Sequence, residues 1–174
     1  MSSSPRVALC AALLATAFFA NAARGAPAPP VAPPSVHLPL LSGGAIADPD
    51  LAAVAEAARG LLYPSETDAP LVPFTASPNV GTSPSDVCTA LAAGDAVRLQ
   101  DAGAFLAAPA RVMPWMSPQE LAAAARFAEL RRVFLTRMAL PVACLVGDTE
   151  VVVYVLGRSA TGAVVGLRTI VVET

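Results

Sequence analysis

Three runs near the C-terminus decide the fold: Val142-Ala143-Cys144-Leu145-Val146, Val151-Val152-Val153-Tyr154-Val155-Leu156 and Val164-Val165-Gly166-Leu167-Arg168-Thr169-Ile170-Val171-Val172. Each is rich in β-branched residues, and the joints between them are Gly147-Asp148 and Ser159-Ala160-Thr161-Gly162, residue types that turn a chain sharply. Strands joined by short polar turns return alongside one another, so the runs predict an antiparallel meander. Val151-Val152-Val153 is apolar at successive positions and therefore on both sides of the pleat. Such a strand has to be covered on both faces.

Helices upstream supply the cover. Ser117-Pro118-Gln119-Glu120 is a helix start, because the serine hydroxyl accepts from the backbone of the third helical residue while Glu120 reaches back to the serine amide. The spacing predicts a helix to about residue 138, where Leu140-Pro141 stops it. Ala123, Phe127, Leu130, Phe134 and Met138 form its apolar stripe, with Arg126, Arg132 and Arg137 off it. Those arginines alternate with Glu120 and Glu129, which reads as a solvated helix face rather than a phosphate-binding ridge.

Further upstream, Asp48-Pro49-Asp50 opens another helix, with Leu51, Val54, Ala55, Ala58 and Leu62 at helical spacing and Gly60 where it can end. Residues 63–68 read as a polar connection, and 71–75 as a short strand that Pro73 confines to an edge or a bulge. Ser83-Pro84-Ser85-Asp86 begins a shorter helix through Ala92; residues 96–99 read as a strand and 101–106 as a helical turn. Helices before and between antiparallel strands give an α+β fold, an α-β-α sandwich with helices on both sides of one mostly antiparallel sheet.

The chain is 174 residues with 55% hydrophobic residues, but the apolar excess is uneven. Residues 1–25 read as a secretory signal peptide: Arg6 precedes an apolar stretch, and Ala20-Asn21-Ala22 or Ala23-Arg24-Gly25 supplies a small-x-small cleavage site. An uncleaved anchor is the rival reading, since the apolar run reaches the lower edge of spanning length. Residues 26–47 carry Pro27, Pro29, Pro30, Pro33, Pro34 and Pro39 and read as an extended linker, with His37 a solvated residue within it. One domain, 48–174, remains. The expected location is secreted or periplasmic, with no membrane association after cleavage.

The 11 basic residues are all arginine, and His37 is the lone histidine. That composition excludes a Schiff-base lysine, a histidine-built zinc site, a Ser-His or Cys-His pair and a lysine-bearing phosphate loop. Carboxylates are the remaining catalytic candidates: Glu66 with Asp68, Asp148 with Glu150, and Glu173. Their settings read as loop and turn positions, so no enzyme activity and no cofactor are expected. Without residues 1–25, nine arginines face the 13 carboxylates, a net of −4. An acidic surface disfavours direct nucleic-acid binding and suits a basic protein partner. Cys88 and Cys144 either form a disulfide, which in the chain-entropy model is worth about 4 kcal/mol, or remain two buried thiols.

Two segments carry a resemblance. Gly60-Leu61-Leu62-Tyr63-Pro64-Ser65-Glu66-Thr67 resembles the glycine-leucine-leucine-aromatic-x-serine-glutamate-serine stretch of the nuclease A inhibitor family. Val153-Tyr154-Val155-Leu156-Gly157, Thr161-Gly162 and the final Val171-Val172-Glu173-Thr174 resemble the end of the same family, whose chains also stop at Val-Val-Glu-Thr. The resemblance spans residues 51–174, with 75–109 matching mainly in length. It implies an α-β-α sandwich similar to pathogenesis-related class 1 proteins. It also implies a monomeric inhibitor that occupies the active-site cleft of a sugar-nonspecific endonuclease. By position, Glu66 and Trp115 would contact that partner, and the terminal Thr174 would reach the partner's Mg²⁺. Taken alone, Trp115 also suits packing over the sheet edge, and Thr174 a frayed terminus. An exported interaction module with a non-nuclease partner is the alternative function.

Overall fold

The computed structural model describes residues 46–172. The expected signal peptide, nearly all of the proline-rich linker, His37 and Thr174 lie outside the described residues. In chain order the elements are α1 (Pro49–Ala58), β1 (Leu62–Tyr63), β2 (Ala69–Pro70), β3 (Val72–Thr75), α2 (Pro84–Ala92), β4 (Val97–Asp101), α3 (Ala102–Ala107), α4 (Pro118–Arg137), β5 (Ala139–Val146), β6 (Glu150–Arg158) and β7 (Val164–Val172). β5, β6 and β7 form the expected meander, and β3 and β4 close its two edges in the order β3-β7-β6-β5-β4, every pair antiparallel. Pro73 accordingly sits on an edge strand, where a missing ladder donor costs least. β1 and β2 form a separate two-stranded hairpin.

β6 is the central strand, and its side chains explain the layers. Val151, Val153 and Val155 pack with Leu51 and Val54 of α1, Phe105 and Leu106 of α3, and Phe127, Leu130 and Phe134 of α4. Tyr154 and Leu156, one residue out of phase, pack with Val87, Cys88 and Ala92 of α2. Helices therefore cover both faces, three on one and one on the other; of the successive valines, Val151 and Val153 are buried on the first face and Val152 is half-buried on the second. Cys88 and Cys144 are bridged, with Cα atoms 5.7 Å apart and a sequence separation of 56, which fixes α2 to β5.

Helix starts follow their capping residues. Ser83 and Ser117 each complete a capping box, with Asp86 and Glu120 respectively. Asp48 caps α1 through the amides of Asp50 and Leu51, and its other carboxylate oxygen accepts from the hydroxyls of Ser159 and Thr161 at 2.7 Å. Buried Asp50 accepts from the Ala160 amide at 2.9 Å and pairs with Arg137 at 3.3 Å. The start of α1, the β6–β7 turn and the end of α4 are thus tied by one polar latch. Burial works to raise the Asp48 carboxyl, but the Ser159, Leu51, Thr161 and Asp50 hydrogen bonds together outweigh it and hold the carboxyl below its ordinary value.

The structure corrects three readings. The buried stripe of α4 begins at Ala124, whereas Ala123 is exposed, because the buried positions Ala124, Phe127 and Leu130 recur in steps of three. Leu62 lies on β1 and faces outward instead of continuing the α1 stripe. The arginines of α4 do more than face solvent: Arg126 donates to the Arg59 carbonyl, Arg131 to the Gly103 carbonyl at 2.9 Å, and Arg137 joins the latch. Each ties α4 to a neighbouring helix end. The helix ends at Arg137, just before Leu140-Pro141 as expected, and that pair sits at an irregularity of β5, with Leu140 at φ 51.

Candidate functional site

The surface of interest begins where α1 ends. Gly60 takes φ +67, a left-handed turn that reverses the chain out of the helix at no steric cost. Extended backbone follows, so side chains alternate: Leu61 in, Leu62 out, Tyr63 in, Pro64 out. Tyr63, read from sequence as part of a polar connection, is a core anchor. Its ring stacks on Phe105 at 4.5 Å and meets the edge of Phe127 at 6.1 Å, and its hydroxyl donates to the Phe105 carbonyl at 3.3 Å. Burial pushes its phenol up to about 12. With Tyr63 fixed inward, Leu62 is held outward at 51% exposure.

The hairpin tip is closed by its own polar groups. Ser65 donates its hydroxyl to the Thr67 carbonyl at 2.7 Å and its amide to Asp68 at 3.4 Å. Glu66 sits on this tip, exposed. The Thr169 hydroxyl donates to the Ala69 carbonyl at 3.4 Å, so the hairpin lies against β7 a few residues before its described end at Val172.

Trp115 is presented by a second loop. The Met116 amide donates to the Met113 carbonyl at 3.2 Å, and the Met113 amide to the Met116 sulfur at 3.4 Å, making a compact turn with Trp115 at its corner. The indole is 79% exposed, so it does not pack over the sheet edge. Two residues later Ser117 starts α4. Its amide donates to Glu120 at 2.7 Å, and that bond holds the Glu120 carboxyl below its ordinary value.

Between the hairpin, the Trp115 loop and the first turns of α4 runs a groove of about 630 Å³. Leu62, Pro64, Met116, Ala122, Ala123 and Phe127 give it apolar walls, with Asp68, Glu120 and Arg126 among its polar lining. The structure therefore sets the two segments that carry Glu66 and Trp115 on opposite flanks of one groove, although neither side chain lines it. Sequence reasoning missed Leu62 as a surface residue, although the Leu61-Leu62-Tyr63-Pro64 alternation was its signal; Met116, half-buried, flanks Trp115. Asp148 and Glu150 flank the β5–β6 turn, whereas Glu66 and Asp68 lie between β1 and β2. Among the described residues no group of three or more His, Cys, Asp or Glu side chains is arranged to hold a metal.

An α+β domain with exposed apolar side chains about one groove has the character of a partner-binding domain. The family model of nuclease A inhibitor-like proteins matches residues 49–174, and the chain belongs to that family. Membership suggests the role of a nuclease inhibitor. No curated protein matches the chain.

Proposed function

We propose that the protein is exported and blocks the active site of a Mg²⁺-dependent, sugar-nonspecific nuclease outside the cytoplasm. It acts by obstruction, with no chemistry of its own. In this reading Thr174 carries its carboxylate and hydroxyl oxygens toward the nuclease metal, which takes oxygen ligands and keeps exchangeable positions. Glu66 engages an arginine that otherwise holds phosphate, and Trp115 is an interface anchor. The observation that carries the reading is family membership over 49–174, supported by the exposure of Glu66 and Trp115 on neighbouring loops.

The test is titration of the chain lacking residues 1–25 into a panel of purified sugar-nonspecific nucleases with Mg²⁺ present. Stoichiometric loss of DNA cleavage by at least one is the expected result; undiminished cleavage by all overturns the proposal. Deleting Thr174 is expected to weaken inhibition by about tenfold or more, as for loss of an interface hot spot. Arg132→Ala is the matched control, because Arg132 pairs only locally with Glu129 at 2.8 Å. Arg126 cannot serve as a distant control, since it lines the groove and caps α1. Recovery of an unrelated protein from the secreted fraction, in place of a nuclease, would favour the interaction-module alternative.

A further inference from the structure

Small exposed residues on the α4 wall raise a question that the family resemblance does not answer. Leu121-Ala122-Ala123-Ala124-Ala125 is a stretch of which only Ala124 is buried, where a solvated helix face ordinarily carries charge. Short side chains at Ala122 and Ala123 leave the groove open; long ones would fill it. Leu62, on its wall, is a large apolar side chain left exposed, and the loop and helix that supply Met116 and Ala122 also expose Trp115 and Leu121. The groove's charged lining is two carboxylates, Asp68 and Glu120, against one guanidinium, Arg126, which donates to the Arg59 carbonyl.

We infer that this groove receives a protruding loop of the partner nuclease that bears an aliphatic or aromatic side chain beside arginine or lysine. The inference rests on the function proposed above and adds a docking point apart from Glu66, Trp115 and Thr174. A nuclease gathers cations to hold polyanionic substrate, so cationic loops border its cleft, and a groove with apolar walls and an excess of carboxylate complements them. At about 630 Å³ the space exceeds a single side chain and fits a short loop. Tyr63 below and the α4 capping box beside it hold the walls in place before the partner arrives, which limits the ordering cost of binding.

The experiment fills the groove. Ala123→Trp in the full mature chain, measured against a nuclease that the unaltered protein inhibits, is expected to raise the inhibition constant by about thirtyfold or more while leaving the thermal midpoint unchanged. Leu62→Ser, at an outward position that does not support the core, is the second variant and is expected to cost about tenfold. Calorimetry is expected to show a less negative heat-capacity change of binding for both, because less apolar surface is buried. Inhibition and heat-capacity change equal to those of the unaltered protein in both variants would overturn the docking role and leave the proposed function standing. Failure of the unaltered protein to inhibit any nuclease overturns both.

Discussion

The two faces of the sheet are closed by different means. On one, α1, α3 and α4 bring Leu51, Phe105, Phe127, Leu130 and Phe134 onto Val151, Val153 and Val155, and the cover is held by apolar contact and the Asp48–Asp50 latch. On the other, α2 alone, nine residues long, covers Tyr154, Leu156 and Val146, and it is the helix that carries the disulfide. The difference teaches where a small domain spends a covalent link. A short helix buries too little surface to repay the entropy of ordering itself and its connections, so a bridge that restricts the unfolded chain is most useful there. The groove that carries the candidate site lies on the first face's helices, away from the bridge.

The comparison can be broken in three ways, in falling order of effect. Phe134→Ala removes a fully buried ring from the helix-rich face and should cost about 4 kcal/mol, read as a lowered denaturant midpoint with unchanged slope. Replacing Cys88 and Cys144 together by alanine should cost about 3 kcal/mol and, in hydrogen exchange, deprotect α2 while α4 keeps its protection. Equal deprotection of both helices would mean that the faces are one cooperative unit and the contrast is false. Asp48→Ala should cost about 1 kcal/mol at neutral pH. The sign of its pH dependence follows from the depressed carboxyl. The ionised form is the one the fold favours, so its stabilisation is complete above the ordinary aspartate value and is lost as pH falls through the lowered one. The gap between Asp48→Ala and the unaltered protein should therefore close in acid; a gap that stays constant would show that the latch does not depend on charge.

Much of this architecture was legible in residues that settle their own conformation. Ser117 with Glu120 and Ser83 with Asp86 start helices through bonds a few residues long, and Pro73 confines its strand to an edge wherever the sheet forms. Resemblance singled out Glu66 and Trp115 as candidate contacts, but nothing in the sequence marked the groove beside their loops. Ala123 and Ala124 are the same residue side by side, and only the way α4 is turned against its neighbours makes one solvent-exposed and the other core. Tyr63 looked polar among Pro64, Ser65 and Glu66 until Phe105 and Phe127 arrived from later in the chain to enclose its ring.

By itself, then, the sequence determined the strands of the five-stranded sheet, the helix starts and the exclusion of histidine- and lysine-based chemistry, because capping, turn preference, β-branching and composition act within a few residues of one another. Tertiary structure alone decided that Asp50 pairs with Arg137, that Cys88 meets Cys144, and that Leu62 and Met116 line one groove. These residues are far apart in the chain, and their contacts exist only after helices and sheet have packed, since a side chain's partner across the core is set by the geometry of whole elements and not by its neighbours in sequence.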